Sequence, residues 1–282
     1  MLNKENTAGV CYEQIPAADE NLSNANSTGA FVPHDREQQP PGQYGGRAST
    51  IEQALAVIVE PGAVVEMRVP KAGRYKTVSG YYTDLAKLAA DAAKWSGEAD
   101  GVYISLNPVN QALFARAANR CVAYAERTTQ DEHITSRRWL FIDCDAKRPA
   151  GISATDDEHA AALQRAEEVR AFLRELGFPE PVYADSGNGG HLLYRVDLPN
   201  TAEVTALLKQ CLAALRFRFD DTAIEIDSST YNASRMIKLY GTLAAKGDDI
   251  PERPHRYTRL MNVPERLEVT SLELLQHLAA TV

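Results

Sequence analysis

An apolar run that ends in two alternating acids constrains this chain more than any other feature of its sequence. Residues 139–142 read Trp-Leu-Phe-Ile, and Asp143-Cys144-Asp145 follows directly. Because strand side chains alternate between two faces, Asp143 and Asp145 are expected to project side by side from the end of a buried strand. Neighbouring carboxylates repel each other unless a cation joins them, and hard divalent ions prefer oxygen ligands. The pattern predicts a metal site, although Asp at a strand end also commonly begins a turn or caps a helix.

The composition of the chain is that of a globular protein of one large or two small domains. Its 282 residues are 44% hydrophobic and 24% charged. No apolar run reaches the length of a membrane span and no signal-peptide core is visible, so we predict a cytoplasmic chain without a membrane partner. The four cysteines have no C-x-x-C spacing, which argues against a disulfide framework or a zinc knuckle. The net charge of −8 argues against a protein that coats nucleic acid non-specifically.

Strands and helices alternate in a regular order between about residues 138 and 227. The periodicity of apolar residues predicts the order β-α-β-β-α-β, which is typical of the ferredoxin-like, or RRM-like, fold in the α+β class. RNA-recognition modules and polymerase palms share this order, so the fold alone does not select a function. The predicted strands lie at about 138–145, 181–185, 190–196 and 222–227, and the predicted helices at about 157–176 and 201–215.

A glycine-rich turn joins the second and third of these strands. It reads Ser186-Gly187-Asn188-Gly189-Gly190 and is followed by His191. In the predicted topology the start of the third strand lies beside the end of the first, so the turn and the imidazole should approach the acid pair. Backbone N–H groups of residues 187–190 would then form a nest that suits phosphate. The alternative is an ordinary hairpin turn without a ligand.

A third carboxylate is available near the end of the last predicted strand. Glu225 and Asp227 share a face of that strand, and either could join Asp143 and Asp145 if the register brings it opposite them. Two cations, Arg235 and Lys238, follow at a spacing that suits phosphate oxygens, although they could also lie on a routine surface strand.

A basic stretch lies in the N-terminal half of the chain. We interpret it as a contact for a nucleic-acid template, with a solvated surface as the alternative. Its members are Arg68, Lys71, Arg74 and Lys76.

Taken together, these motifs resemble the archaeo-eukaryotic primase superfamily, in particular the primase-polymerases of phages, plasmids and other mobile elements. The family's hydrophobic run with Asp-x-Asp matches residues 140–145, its Ser-Gly-x-Gly-x-His matches 186–191, and its hydrophobic residue followed by Asp matches 226–227. The resemblance covers about residues 50–260. Matches beyond the third motif are Asn232, Arg235, Gly241-Thr242 and Lys246.

The resemblance implies the roles of individual residues. Asp143, Asp145 and Asp227 would be catalytic and would hold two Mg²⁺ or Mn²⁺ ions. The incoming nucleotide would be bound by Ser186, Gly187, Gly189, His191, Arg235 and Lys238.

The resemblance also implies an organisation and a function. We expect an RRM-like catalytic palm at 138–262 with an N-terminal α/β module at 48–137 packed on it. The composition of residues 1–47 predicts a mobile or loosely ordered arm before this module, and a helical segment is expected at 263–282. The expected enzyme is a template-directed nucleotidyltransferase, a DNA primase, a primer-extending DNA polymerase or both. Its partners would be a single-stranded DNA template, NTP or dNTP substrates and a replicative helicase encoded in the same mobile element.

Other functions remain open at the level of sequence. The same sheet could be a non-catalytic nucleic-acid-binding module, the same acids could serve a metal-dependent nuclease, and Asp-x-Asp also occurs in Mn²⁺-dependent nucleotide-sugar transferases. The choice between ribo- and deoxynucleotides is open as well, with Tyr81 or Tyr82 as a candidate sugar gate.

Overall fold

Two five-stranded antiparallel sheets and the helices packed on them make up the described part of the chain. The structure is a computed structural model that describes residues 43–281. Residues 1–42, most of the predicted N-terminal arm, lie outside the described residues. The α-helices are α1 (Gln43–Ile58), α2 (Leu85–Trp95), α3 (Asp156–Glu175), α4 (Ala202–Phe219) and α5 (Leu272–Ala279). The strands are β1 (Val65–Val69), β2 (Val78–Tyr82), β3 (Tyr103–Ser105), β4 (Cys121–Val122), β5 (Ser136–Ala146), β6 (Val182–Asp185), β7 (Gly189–Pro199), β8 (Ile224–Ile226), β9 (Met236–Lys238), β10 (Leu243–Ala244), β11 (Arg256–Tyr257) and β12 (Arg259–Asn262).

The first sheet has the strand order β4-β2-β1-β3-β9. Alternate residues of its strands, such as Met67 and Ile104, face a core that they share with α1 and α2. The edge strand β9 comes from the C-terminal half of the chain, so residues 48–137 do not complete this sheet by themselves. The face opposite the core carries, on neighbouring strands, Arg68, Tyr103 and Lys238.

The second sheet has the strand order β12-β6-β7-β5-β8, with all neighbours antiparallel. Along the chain, the elements from β5 to β8 come in the order β5-α3-β6-β7-α4-β8. The mixture of helices and antiparallel sheets confirms the predicted α+β class. The remaining two strands, β10 and β11, pair with each other.

The second sheet is covered on both faces. Trp139 and Phe141 of β5 point into the core that contains α1 and α2, whereas Leu140 and Ile142 point into a second core against α3, α4 and α5. Burying a large apolar side chain contributes about 1.5–3 kcal/mol relative to leaving it exposed. The alternation along β5 therefore fixes which face carries Asp143 and Asp145: the face of Trp139 and Phe141.

The helix α3 begins and ends as its sequence predicts. Thr155 accepts from the backbone N–H of Glu158, and the Glu158 side chain accepts from the backbone N–H of Thr155, which completes a capping box. Gly177 follows the helix with a φ of 90°, a conformation that glycine adopts without strain. The cap fixes the start of α3 close to the loop that follows β5.

Two predictions about local structure are wrong. The sequence favours a largely helical segment at 109–127, but this segment forms only a short 3₁₀ helix at Gln111–Arg116 and the strand β4. The backbone of this segment forms hydrogen bonds with β2 instead. The N–H of Tyr81 donates to the carbonyl of Ala117, and the carbonyl of Tyr81 accepts from the N–H of Asn119. The capping-box spacing of Ser49-Thr50-Ile51-Glu52 predicts a helix that starts at Ser49, whereas α1 begins at Gln43.

Helices within residues 43–281 are all too short or too polar to cross a membrane.

Candidate active site

The register of the second sheet brings the predicted residues together. Asp143 lies directly opposite His191 on β7, and Asp145 lies opposite Gly189. The His191 Nε2 is 3.4 Å from Oδ1 of Asp143. On the other side of β5, the backbone N–H of Asp227 donates to the carbonyl of Asp143 at 2.9 Å. The register question left open by the sequence is therefore answered for Asp227, which lies beside the first acid.

A short segment after β8 continues along β5 and holds Asp227 in place. The hydroxyl of Thr230 donates to the carbonyl of Phe141 at 2.8 Å. The N–H and hydroxyl of Ser229 both donate to Oδ1 of Asp227. Glu225, the other candidate, lies opposite Asp145 and is exposed to solvent.

The imidazole of His191 is fixed by its surroundings. Its Nδ1 is 2.8 Å from the hydroxyl of Tyr240, and its ring packs edge-on against Phe141. Tyr240 and His191 are both buried. If Tyr240 donates to Nδ1, the proton of the neutral ring lies on Nε2, which then points a donor at Asp143 or at a ligand in its place.

Two arginines engage the acids, and the sequence analysis identified only one of them in the site. Arg148 forms a bidentate pair with Asp145, at 2.6 Å to Oδ1 and 3.1 Å to Oδ2. Arg235 donates to Oδ2 of Asp227. Arg148 stands three residues after Asp145, just beyond the strand end, and that proximity is the signal that could have found it.

The electrostatics of the acid pair are unequal. Burial raises the pKa of the Asp143 carboxyl, but His191, Arg235 and Lys246 outweigh it and hold that pKa below its usual value. Burial and the neighbouring charge of Asp143 raise the pKa of Asp145 despite its pairing with Arg148. The side chains of Asp143 and Asp145 are 23% and 33% exposed, so both remain open to a ligand.

Lys238 is a buried cation close to the acids. Its Nζ has no hydrogen-bond partner among the described residues, and the residue is 8% exposed. Burial, with a contribution from Lys246, lowers the pKa of Lys238 to about 7, and the charges of Asp145 and Asp143 oppose that shift. An unpaired buried ammonium is costly, so an anionic ligand would relieve it.

The glycine-rich turn differs from the prediction. The N–H of Gly187 donates to Oδ1 of Asp185, and the N–H groups of Asn188 and Gly189 donate to the hydroxyl of Ser186. Gly187 and Gly189 therefore do not present their N–H groups to a phosphate in this arrangement. Their lack of a side chain serves close packing, since a Cβ on Gly189 would lie 2.2 Å from the carbonyl oxygen of Cys144.

Of the four predicted template contacts, one is held by a buried acid and three are exposed. Arg68 is engaged by the buried Glu66, to which it donates at 2.8 and 2.6 Å. It is thus not free to contact a template, because a buried carboxylate holds it. The other three members of the stretch, Lys71, Arg74 and Lys76, are exposed around the turn between β1 and β2.

Both candidate sugar gates, Tyr81 and Tyr82, are buried, and the hydroxyl of Tyr82 donates to Asp91. A different aromatic residue, Tyr103, lies opposite Lys238, and the charges of Asp143 and Arg235 act on its hydroxyl. The sequence analysis did not single out its side chain.

The acid cluster matches a divalent cation in chemistry more than in arrangement. Its donors are carboxylate oxygens, which Mg²⁺ and Mn²⁺ prefer, and the raised pKa of Asp145 indicates negative charge that a cation would compensate. Within residues 43–281, however, no group of three or more His, Cys, Asp or Glu side chains is arranged to hold a metal ion. Arg148 and Arg235 already engage two of the three carboxylates.

Two solved structures of a primase have a partly similar arrangement. The crystal structure of primase RepB' aligns with a TM-score of 0.47 at 11% identity, over 83% of this chain and 62% of that chain. The catalytic domain of primase RepB' in complex with initiator DNA aligns with a TM-score of 0.44 at 12% identity, over 82% of this chain and 94% of that one. This chain thus spans less than two thirds of the first structure, and at these TM-scores the likeness is too weak to assign a function.

Sequence comparison gives a second relationship. No protein-family model matches the chain. The mobilization protein MbeC of Escherichia coli is 31% identical to it over 112 residues, which make up 39% of this chain and 86% of MbeC. Through that segment, the chain belongs to the family of the mobilization protein MbeC.

Proposed function

We propose that this protein is a template-directed nucleotidyltransferase of the primase-polymerase type. The observation that carries the proposal is the convergence of Asp143, Asp145, Asp227 and His191 beside a buried, unpaired Lys238. Clustered carboxylates suit divalent cations, and an imidazole and an ammonium suit the negative charge of a triphosphate. The combination fits phosphoryl transfer, in which positioning and charge stabilisation dominate.

The three acids are assigned to two divalent ions, Mg²⁺ or Mn²⁺. Asp143, Asp145 and Asp227 would hold them after Arg148 and Arg235 release two of the carboxylates. Bound there, the ions would lower the pKa of a 3′-hydroxyl and neutralise charge on the triphosphate.

The remaining residues bind and orient the nucleotide. Tyr240 fixes the ring of His191, so that Nε2 can donate to a phosphate oxygen. Lys238 supplies a positive charge from the first sheet, and Arg235 supplies a planar guanidinium that fits phosphate in a bidentate manner. Ser186 is assigned to the same site through its hydroxyl proton, because its oxygen already accepts two backbone N–H groups.

In this proposal the second sheet is an RRM-like catalytic palm, and the first sheet is the core of the N-terminal module. A single-stranded DNA template would follow the exposed Lys71, Arg74 and Lys76, and NTP or dNTP would enter between the sheets. The kinship with a mobilization protein supports a role in the maintenance or transfer of a mobile element. A helicase encoded in the same element would supply the single strand.

A non-catalytic RNA- or DNA-binding module fits the structure less well. Such modules stack bases on aromatic side chains of an open sheet face. Here Trp139 and Phe141 are buried in the first core, and the opposite face is covered by α3 and α4. The sheet thus lacks an open aromatic platform within the described residues.

The test is nucleotide incorporation on a single-stranded template with Mn²⁺ and labelled dATP or ATP, with and without a primer. Asp143→Ala combined with Asp145→Ala should reduce incorporation more than about a hundredfold, because two cation ligands are lost. Thermal unfolding should remain cooperative in this variant.

A matched control removes two neighbouring acids elsewhere. Glu167→Ala with Glu168→Ala, on the half-exposed side of α3, should leave incorporation unchanged. Incorporation at the wild-type rate by the double Asp variant would overturn the proposal. Degradation of labelled DNA without added nucleotide, and without incorporation, would assign the site to a nuclease instead.

A further inference from the structure

Arg148 is built into the site rather than placed loosely on its surface. Besides its two bonds to Asp145, its guanidinium donates to the carbonyls of Ala146 and Ile152, and its side chain is only 6% exposed. The loop that carries it is anchored in turn, since the N–H of Ala154 donates to Asn188 of the glycine-rich turn at 2.8 Å. The loop thus holds the guanidinium against one particular carboxylate.

That contact occupies one half of the acid pair. Both oxygens of Asp145 accept from Arg148, so a divalent cation at this carboxylate would compete with the guanidinium for its lone pairs. Asp143, by contrast, contacts an imidazole at 3.4 Å and has no guanidinium partner among the described residues. The two neighbouring acids therefore differ in their readiness to accept a cation.

The charges around the acids explain why such a contact would be reversible. Three carboxylates face the cations Arg148, Arg235, Lys238 and Lys246, so the site is close to charge balance. Divalent ions alone would add positive charge to cations that are already there. A triphosphate that arrives with the ions would restore the balance and offer the guanidinium a second anion of matching geometry.

We propose that Arg148 exchanges partners during nucleotide binding. In the nucleotide-free protein it holds Asp145, and it transfers to phosphate oxygens of the incoming nucleotide when a divalent cation takes that carboxylate. Arg148 thereby couples cation binding to nucleotide binding and disfavours the cation alone. This role rests on the proposed nucleotidyltransferase function and assigns a residue to it that the sequence motifs did not include.

The exchange predicts that loss of the Arg148 guanidinium strengthens Mn²⁺ binding and weakens nucleotide binding. Arg148→Gln removes the competing charge and keeps a hydrogen-bonding side chain. The variant should bind Mn²⁺ about tenfold more tightly than the wild type in the absence of nucleotide, a change typical of coupled sites. It should bind a non-hydrolysable dATP analogue, at saturating Mn²⁺, about tenfold more weakly. Free Mn²⁺ is measured by electron paramagnetic resonance, and analogue binding by calorimetry.

Two further variants make the result unambiguous. Arg148→Lys keeps one charge without the bidentate fork and should give intermediate values for both affinities, so it also serves if the Gln variant does not fold. Arg195→Ala breaks another Arg–Asp pair, with Asp197 further along β7, and should change neither affinity.

The outcomes separate this inference from the proposed function. If Arg148→Gln weakens both affinities or leaves Mn²⁺ binding unchanged, while the wild type binds Mn²⁺ and loses it on removal of Asp143 and Asp145, the exchange is overturned and the metal site stands. If neither the wild type nor any Arg148 variant binds Mn²⁺ with or without the analogue, the proposed function itself fails.

Discussion

Two buried charges lie on the same face of the first sheet and differ in almost every other respect. Glu66 on β1 is fully buried and accepts from Arg68, from the hydroxyl of Ser79 and from the N–H of Thr129. Lys238 on β9 is almost as deeply buried, yet its ammonium has no hydrogen-bond partner among residues 43–281. The first charge is satisfied by hydrogen bonds within the fold, and the second is not.

The pKa values follow that difference. Burial raises the pKa of Glu66, but Arg68, Ser79 and Thr129 outweigh it and hold the pKa below its usual value. Burial lowers the pKa of Lys238 to about 7, because nothing of comparable strength opposes it. A charge with complete partners supports structure, whereas a buried charge without them is a mark of function.

The largest change in stability is expected when the satisfied charge, Glu66, is removed. Glu66→Ala leaves Arg68 without its partner in a largely buried position, so the free energy of unfolding should fall by about 3 kcal/mol. Urea unfolding followed by circular dichroism measures it. The exposed Glu98→Ala is the control and should change stability little. Equal stability of the two variants would show that the network around Glu66 contributes nothing.

Replacement of the unsatisfied charge, Lys238, is expected to raise the free energy of unfolding instead of lowering it. Lys238→Met replaces a buried, unpaired ammonium by an apolar side chain of similar length, which should raise the free energy of unfolding at pH 7 by about 1 kcal/mol. The same variant should bind a dNTP analogue about tenfold more weakly, since a charge-assisted contact is lost. A destabilised variant with unaltered nucleotide binding would reverse our interpretation of Lys238.

The last prediction concerns the pH dependence of that stability difference. Because the pKa of Lys238 is lower in the folded state, the unfolded chain binds more protons above pH 7, and wild-type stability gains with rising pH. The advantage of Lys238→Met should therefore be full below pH 7 and shrink steadily between pH 7 and 9. Parallel thermal unfolding curves of both proteins across this range provide the measurement, and a constant difference would contradict the lowered pKa.

Much of the site could be predicted from the sequence because its logic is local to strands. The alternation of Trp139 to Asp145 fixes the face of the acid pair, and the predicted strand order places the start of β7, with His191, beside the end of β5, with Asp143. Period and pairing order are enough for such contacts. The position of Asp227 needed a register that no pattern encodes, and the structure supplies it through a backbone bond to Asp143.

The residues that sequence reasoning missed or misassigned depend on which partner each side chain takes, and spacing alone does not decide that. Glu66 stands only two residues before Arg68, but the network that holds this pair is completed by Thr129, sixty-three residues away from Glu66. Arg148 could have been suspected from its spacing, but not its bidentate contact with Asp145. The glycine-rich turn is predicted to form a phosphate nest from its free N–H groups. In the structure these N–H groups donate to the side chains of Asp185 and Ser186 in the same turn, which the pattern of glycines does not reveal.

The crossing of the chain between the two sheets has a consequence for how the protein could be divided. Asp227 follows the last strand of the second sheet, and Lys238, eleven residues later, ends an edge strand of the first. A cut near residue 138 would therefore yield a C-terminal fragment in which β9 has lost its partner strand β3. The ammonium of Lys238 would then no longer be buried in the first sheet. The two halves should therefore not fold as independent domains, because the segment 227–238 connects the second sheet to a strand of the first.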